Sequence, residues 1–398
     1  MIWFKIINSI LLLLVFLSAC ARDYDRSAIA PQPDRECVSD YNPRIDYFPN
    51  KINLNYARGF TVEYHNHYKV VTVNKPWQEA EVTFQYLLVQ CGTPVPTGFD
   101  RAQVIQVPVS NIIALSTTYL PHLESLELLD KLIGASDFKR INSPGVLKMI
   151  DQNQLIELGN NAKINMEVVL DMNPELVMTY GTGKNEFDSH HKLLKAGINV
   201  AINAEYMEDS PLATAEWLKF TAMFFNREAV AEKLFGEIAE EYEAIASLTR
   251  KIENRPTVFT GSSFNGVWYM PGGKSYIAQY LADAGAHYLW AEELSSGSIP
   301  LDFEAVFERA ANADYWINVK QEWQRRSDII AADDRYGEFA AIKRQQVFNN
   351  NRRVNEYGGN DYWESGITNP HLVLADLINI FHPDLLPKHE FVYYRQLE

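Results

Sequence analysis

The chain has 398 residues, 47% of them hydrophobic, and carries a net charge of −15 from 51 acidic and 36 basic side chains. That apolar fraction is ordinary for a globular protein, and the length predicts two or three domains. No basic run exceeds two residues, as at Arg325-Arg326 and Arg352-Arg353, which argues against a nucleic-acid partner.

At the N-terminus, Lys5 precedes an apolar run from Ile6 to Leu17 that leads into Leu17-Ser18-Ala19-Cys20. A basic residue, a short apolar core and a small-residue boundary describe a secretory signal peptide at 1–19. The run is too short to span a membrane comfortably. The Leu-Ser-Ala-Cys ending resembles the lipobox of bacterial lipoproteins, which implies lipidation at Cys20 and an anchor that does not cross the bilayer. The alternative is an ordinary cleaved signal with a cysteine at its boundary. Cys37 and Cys91 then remain, in a compartment that tolerates disulfides. Cysteine arithmetic favours one bridge between them, with two separate buried thiols as the other reading. Their distance in sequence has none of the close spacing of a zinc site.

Residues 20–50, with Pro31, Pro33, Pro43 and Pro49, are expected to be a tether and arm. Alternation over Phe60–Val73 and the run Val82–Gln90 predict a small N-terminal β extension at 51–103. From 104 onward, strands alternate with helices, the mark of α/β architecture. Val107–Leu115 is expected as a strand leaving through Ser116–Tyr119, and Pro121 as the opening of a helix closed by Gly134. The Leu176 strand, a helix from His190 to Ala196 and a strand from Asn199 to Asn203 complete a first lobe at 104–226. Pro211 opens one helix where proline is tolerated. A second, over 227–252, carries one apolar stripe through Val230, Leu234, Ile238, Tyr242, Ile245, Leu248 and Ile252. Pro256 ends that segment, and Thr257–Thr260 begins a second lobe at 253–398 whose last helix runs from His371 to Phe381.

Two stretches 137 positions apart echo each other: Asn165-Met166-Glu167-Val168-Val169-Leu170 and Asp302-Phe303-Glu304-Ala305-Val306-Phe307. Each is followed by a strand-like segment, at Glu175–Tyr180 and Asp314–Val319. Each is preceded by an apolar segment read as a helix closed by glycine, Leu126–Leu132 before Gly134 and Ile277–Ala284 before Gly285. The expected fold class is therefore α/β. Two similar α/β lobes are joined by one long helix, with a ligand cleft between them and a small N-terminal β extension.

Ligands in open α/β sheets sit outside the carboxyl ends of strands. That rule selects Tyr119, Tyr180, Phe264, Trp268, Tyr269, Trp323 and Trp363 as candidate cleft aromatics, with Arg352, Arg353 and Lys184 available to neutralise an anion. Core packing is the alternative for each aromatic. Glycines beside Trp268 and Trp363 argue for exposed loops. His65 with His67, and His190 with His191, lack carboxylate or cysteine partners at close spacing, so no metal site is expected. Gly261-Ser262-Ser263-Phe264-Asn265 lacks the second glycine of a hydrolase elbow. Gly272-Gly273-Lys274-Ser275 has Trp268 where a phosphate loop needs its first glycine. Its Lys274-Ser275 instead opens a helix toward Ala284 whose N-terminus faces the cleft.

The signal, the repeated lobes, the long helix and a glutamate in each repeat together resemble one family over about residues 105–385. These are the substrate-binding proteins of ATP-driven (ABC) importers for ferric siderophores and vitamin B12. The most specific strings are Asn165-Met166-Glu167 with Asn173-Pro174-Glu175-Leu176-Val177, and Leu301-Asp302-Phe303-Glu304 with Ala313-Asp314-Tyr315-Trp316-Ile317. The resemblance implies a monomeric, non-enzymatic envelope protein, lipid-anchored and without a resident cofactor. It would capture a small-molecule metal chelate, foremost a ferric siderophore, and deliver it to an ABC permease and its ATPase. Vitamin B12 or haem is the alternative ligand, and a surface hydrolase using the same cleft the alternative class. It also implies that Glu167 and Glu304 dock on permease arginines. Both glutamates also follow an N-cap residue, where capping and the helix dipole favour an acid. The β extension has no counterpart in the family pattern.

Overall fold

The computed structural model describes residues 37–159 and 163–398. The signal peptide, Cys20 and the first part of the tether lie outside them.

Two sheets carry the lobes. In the first, strands Ile156–Glu157, Leu132–Ala135, Ile112–Ala114, Leu176–Thr179 and Val200–Ile202 lie side by side, all parallel. In the second, His287–Tyr288, Thr257–Thr260, Tyr315–Ile317 and Val347–Asn349 are parallel, and Arg395–Gln396 closes the edge antiparallel. The sequence echo marks the same place in both. Helix Met166–Met172 feeds Leu176–Thr179, and helix Phe303–Ala310 comes before Tyr315–Ile317. Each of those strands pairs with the first strand of its own lobe. Asn165 Oδ1 accepts from Val168 N–H, and Asp302 Oδ1 from Ala305 N–H, so both helices start at a side-chain cap.

The upstream half of the echo holds only in the second lobe. There the helix Tyr276–Asp283 is followed by Gly285 at φ +75°. In the first lobe the helix Leu120–Ser125 stops early, and Gly134 sits inside the strand Leu132–Ala135. A Cβ there would meet Met172 Cε at 2.9 Å and Leu158 Cδ1 at 3.1 Å. Between that helix and the strand, Glu127, at φ +58°, takes the chain out of the helix, and only a 3-10 turn, Leu129–Lys131, precedes the strand.

The expected strand Val107–Leu115 is two strands. Gln103–Val107 joins the extension, and Ile112–Ala114 joins the first lobe. Pro108 offers no N–H to a ladder. Beyond it, Ser110 N–H turns to Glu175 Oε2 at 2.7 Å and Asn111 Oδ1 accepts from Glu175 N–H at 2.8 Å.

The extension is a four-stranded sheet, Phe60–Tyr64, Tyr68–Val73, Phe84–Gln90 and Gln103–Val107, with only the last pair parallel. A disulfide joins Cys37 to Cys91. Between the lobes run two packed helices, Pro211–Met223 and Glu228–Ala246. The second has 19 residues and spans about 28 Å. It ends before the predicted 252 because Ser247 and Thr249 turn their hydroxyls back onto the carbonyls of Ala244 and Ala246. Every residue of Pro211–Met223 is buried, since residues 53–59 of the extension cover its outer side. Glu216 takes the amides of Asn55, Tyr56 and Ala57, and Glu208 those of Arg58 and Gly59. The extension is thus bolted to the helices that join the lobes.

Candidate ligand cleft

A cleft of about 570 Å³ opens where the lobes face each other. The first lobe contributes Tyr180 and Thr182, just past strand Leu176–Thr179, and Tyr206 and Met207, past strand Val200–Ile202. The second contributes Pro271, Ser275, Tyr276, Ile277 and Ser296–Ser298, with Trp363 from a later loop. Two more lining residues, Trp77 and Gln78, come from the extension. Ser275 caps the helix Tyr276–Asp283, accepting from Ala278 N–H at 3.2 Å, so that helix begins in the cleft as expected.

Among the described residues the lining is aromatic and hydroxylic, and none of those that form it is lysine, arginine, aspartate or glutamate. Two acids stand behind the wall, Asp188, which accepts from the Thr182 hydroxyl at 2.9 Å, and Glu205. Glu205 is fully buried, and burial pushes its carboxyl up to about 7 against a hydrogen bond to Thr118. Its Oε2 has no hydrogen-bond partner among the described residues. Among the described residues no three His, Cys, Asp or Glu side chains gather as a metal site.

Of the aromatics selected from sequence, the structure brings Tyr180 and Trp363 together across the cleft. Tyr119 lies behind it in the core, its hydroxyl 3.4 Å from Asn203 O. Trp268 is fully buried, packed with Phe259, Trp316, Tyr336 and Phe339 and donating to Thr260 O at 2.8 Å. The glycines beside it do not free it, since Gly266, at φ +82°, turns the hairpin and Gly272 abuts the backbone of Ser295 and Gly297. Gly261, at φ +78°, gives the indole room, since a Cβ there would come within 3.2 Å of Trp268 Nε1. Trp323 is core as well, edge-on to Tyr336 at 5.7 Å. Phe264 and Tyr269 are exposed on a hairpin and do not belong to the cleft lining, and alternation sends Tyr269 opposite to Trp268 and Met270. Arg352 and Lys184 are exposed outside the lining, and Arg353 pairs with Asp361 at 2.9 Å.

Sequence reasoning missed Tyr206, Tyr276, Trp77 and Gln78. The carboxyl-end rule, applied to the strand ending near Asn203, reaches Tyr206. The cap at Ser275 points to Tyr276. Nothing local marks Trp77.

A polar seam also joins the lobes. Glu364 accepts from Asn142 N–H at 2.7 Å and from Ser143 N–H at 2.8 Å, and Asn355 Nδ2 donates to the carbonyls of Lys139 and Ile141. Burial pushes the Glu364 carboxyl from 4.5 up to about 7, partly opposed by the bonds from Asn142 and Ser143. A folded pKa above the unfolded one gives stability that is complete below about 4.5 and lost as pH rises through about 7. The advantage of the wild type over Glu364→Gln in urea unfolding should therefore shrink by up to about 3 kcal/mol from pH 4.5 to 8. Glu205 is unchanged in both proteins and cancels in the difference. A gap independent of pH would show that Glu364 does not titrate in this window.

Glu167 and Glu304 occupy the same position, second in the first turn of equivalent helices, and both are exposed. Glu304 meets Arg335 at 3.1 Å, and Arg335 also holds Asp333. Glu167 has no ion-pair partner among the described residues.

The sequence model of the periplasmic binding protein family matches residues 112–352. An uncharacterised lipoprotein of Methanocaldococcus jannaschii is 27% identical over 319 residues, covering 75% of this chain and 73% of its own. Among solved structures, a periplasmic binding protein from Veillonella parvula aligns at a TM-score of 0.57 and 15% identity, over 79% of this chain and 98% of its own. A possible iron-binding periplasmic solute-binding protein from Staphylococcus epidermidis aligns at 0.54 and 18%, over 69% and 98%. These structural likenesses establish the fold.

Proposed function

The chain belongs to the periplasmic binding protein family, and we propose that it captures a chelated metal cofactor outside the cytoplasm and hands it to an ABC importer. The observation that carries this reading is the aromatic cleft between the lobes, lined by Trp77, Tyr180, Tyr206, Tyr276 and Trp363. Flat rings on both sides suit a large chelate, because they bury area at little entropy cost. The absence of charge from the lining refines the choice. A polyanionic ferric catecholate would lose hydration there without a cation to offset it, whereas a charge-neutral ferric hydroxamate or a corrinoid would not.

In this reading the protein is an envelope lipoprotein anchored through Cys20, acting as a monomer and without catalysis. Glu167 and Glu304 meet the permease, whose ATPase supplies the energy. The test is tryptophan quenching of the soluble chain, lacking Cys20, by a ferric trihydroxamate, a ferric catecholate, haem and cyanocobalamin. Trp77 and Trp363 line the cleft and should report occupancy. Saturable quenching below micromolar by a neutral chelate is expected. No response to any of the four would remove chelate capture as the function.

A further inference from the structure

We propose that the segment joining strands Tyr68–Val73 and Phe84–Gln90 is a third wall of the ligand cleft, with Trp77 and Gln78 contacting the bound chelate and setting its selectivity. The inference rests on the reading that the cleft binds a chelate, and it concerns residues ahead of the span that the family model matches.

The segment is longer than its strands require. Antiparallel neighbours are commonly joined by two to five residues, and this connection takes residues 74–83. It is placed firmly. The Trp77 indole lies on Gly181 and Gly183, where added Cβ atoms would come within 2.5 Å and 2.7 Å of the ring. It is edge-on to Phe84 at 5.9 Å and 5.5 Å from the His190 ring. The Tyr206 hydroxyl, which donates to Gly181 O at 2.6 Å, lies 3.5 Å from Pro76 O. Trp77 is therefore seated on the first lobe.

Gln78 reaches the second. The Gln78 amide closes on Gly297, where a Cβ would stand 2.3 Å from Oε1 and would force the side chain to move. Both residues line the same cleft as Tyr180, Tyr276 and Trp363. One short segment thus touches both lobes at the ligand space and presents an apolar ring beside a neutral donor and acceptor. That pairing suits a neutral chelate with a flat or methylene-rich face and peripheral amide or hydroxamate oxygens, and it offers a polyanion no counter-charge.

Trp77→Ala, Gln78→Ala and Trp363→Ala would be compared with the wild-type chain by calorimetric titration with a ferric trihydroxamate, cyanocobalamin and haem. Trp77→Ala should weaken the preferred probe at least tenfold. Gln78→Ala should change the ratio of affinities between two probes at least fivefold. Should Trp77→Ala not fold, Trp77→Phe, which keeps a ring on the two glycines, is expected to lose affinity by a smaller factor. Wild-type affinities in the Trp77 and Gln78 variants, beside a loss in Trp363→Ala, would overturn the third wall and leave the chelate reading standing. A wild-type chain that binds none of the probes would overturn both.

Discussion

Glu216→Ala should lower the unfolding free energy by roughly 3–5 kcal/mol, measured by urea denaturation at neutral pH. Its carboxylate is fully buried and accepts three consecutive backbone amides, from Asn55 at 3.0 Å, Tyr56 at 2.8 Å and Ala57 at 2.7 Å. It also faces Lys219 at 3.0 Å, an equally buried ammonium that donates onward to Asn53 O and pairs with Glu232. Truncation strands three donors and removes one counter-charge from a group that cannot reach water. Leaving such groups unpaired costs more than the bonds themselves contribute. Glu216→Gln keeps one acceptor oxygen but turns an amide toward the same donors, so its loss should be intermediate. A change below about 1 kcal/mol for the alanine variant would show that the extension's first segment does not depend on this carboxylate.

That latch also shows where sequence reasoning stops. Within the helix Pro211–Met223, Glu216 and Lys219 stand three apart, the pattern of a solvated helix face. Both are buried because a segment about 160 positions earlier lies over them, and no local pattern carries that. Local chemistry was readable where it acts locally. Asn165, Asp302, Ser275 and Ser210 each cap a helix, and the two matching helix–strand units follow from the echo. The family and the α/β fold were legible for that reason. The cleft was legible only in part. Adjacent Trp268 and Tyr269 looked alike, although period-two alternation through Met270 separates a core ring from an exposed one. Strand exits led to Tyr180, but Trp77 and Gln78 reach the cleft from a different sheet. The charge-free lining is a property of the assembled site, since basic residues lie near it in sequence and outside it in space.

Reversing both acids, Glu167→Arg with Glu304→Arg, should reduce uptake of the chelate to background while leaving its affinity for the purified protein unchanged. The two side chains project from equivalent first turns, one on each lobe, so together they would fix the orientation in which the protein meets its permease. Charges at an interface rim steer encounter and set register more than they add affinity, and like charges facing each other exclude a partner. Arg335 does not weaken the expectation, because its pairing with Glu304 is exposed, screened by solvent and easily exchanged. Each single reversal should give a partial loss, with Glu304→Arg also releasing Arg335. The competing role is helix stabilisation, since an acid in the first turn contributes roughly 0.3–1 kcal/mol through the dipole. Thermal unfolding separates the two. Lost uptake with an unchanged midpoint and unchanged ligand affinity assigns the pair to docking. Lost uptake matched by a large fall in stability assigns the pair to their helices, and normal uptake in the double variant removes docking from their role.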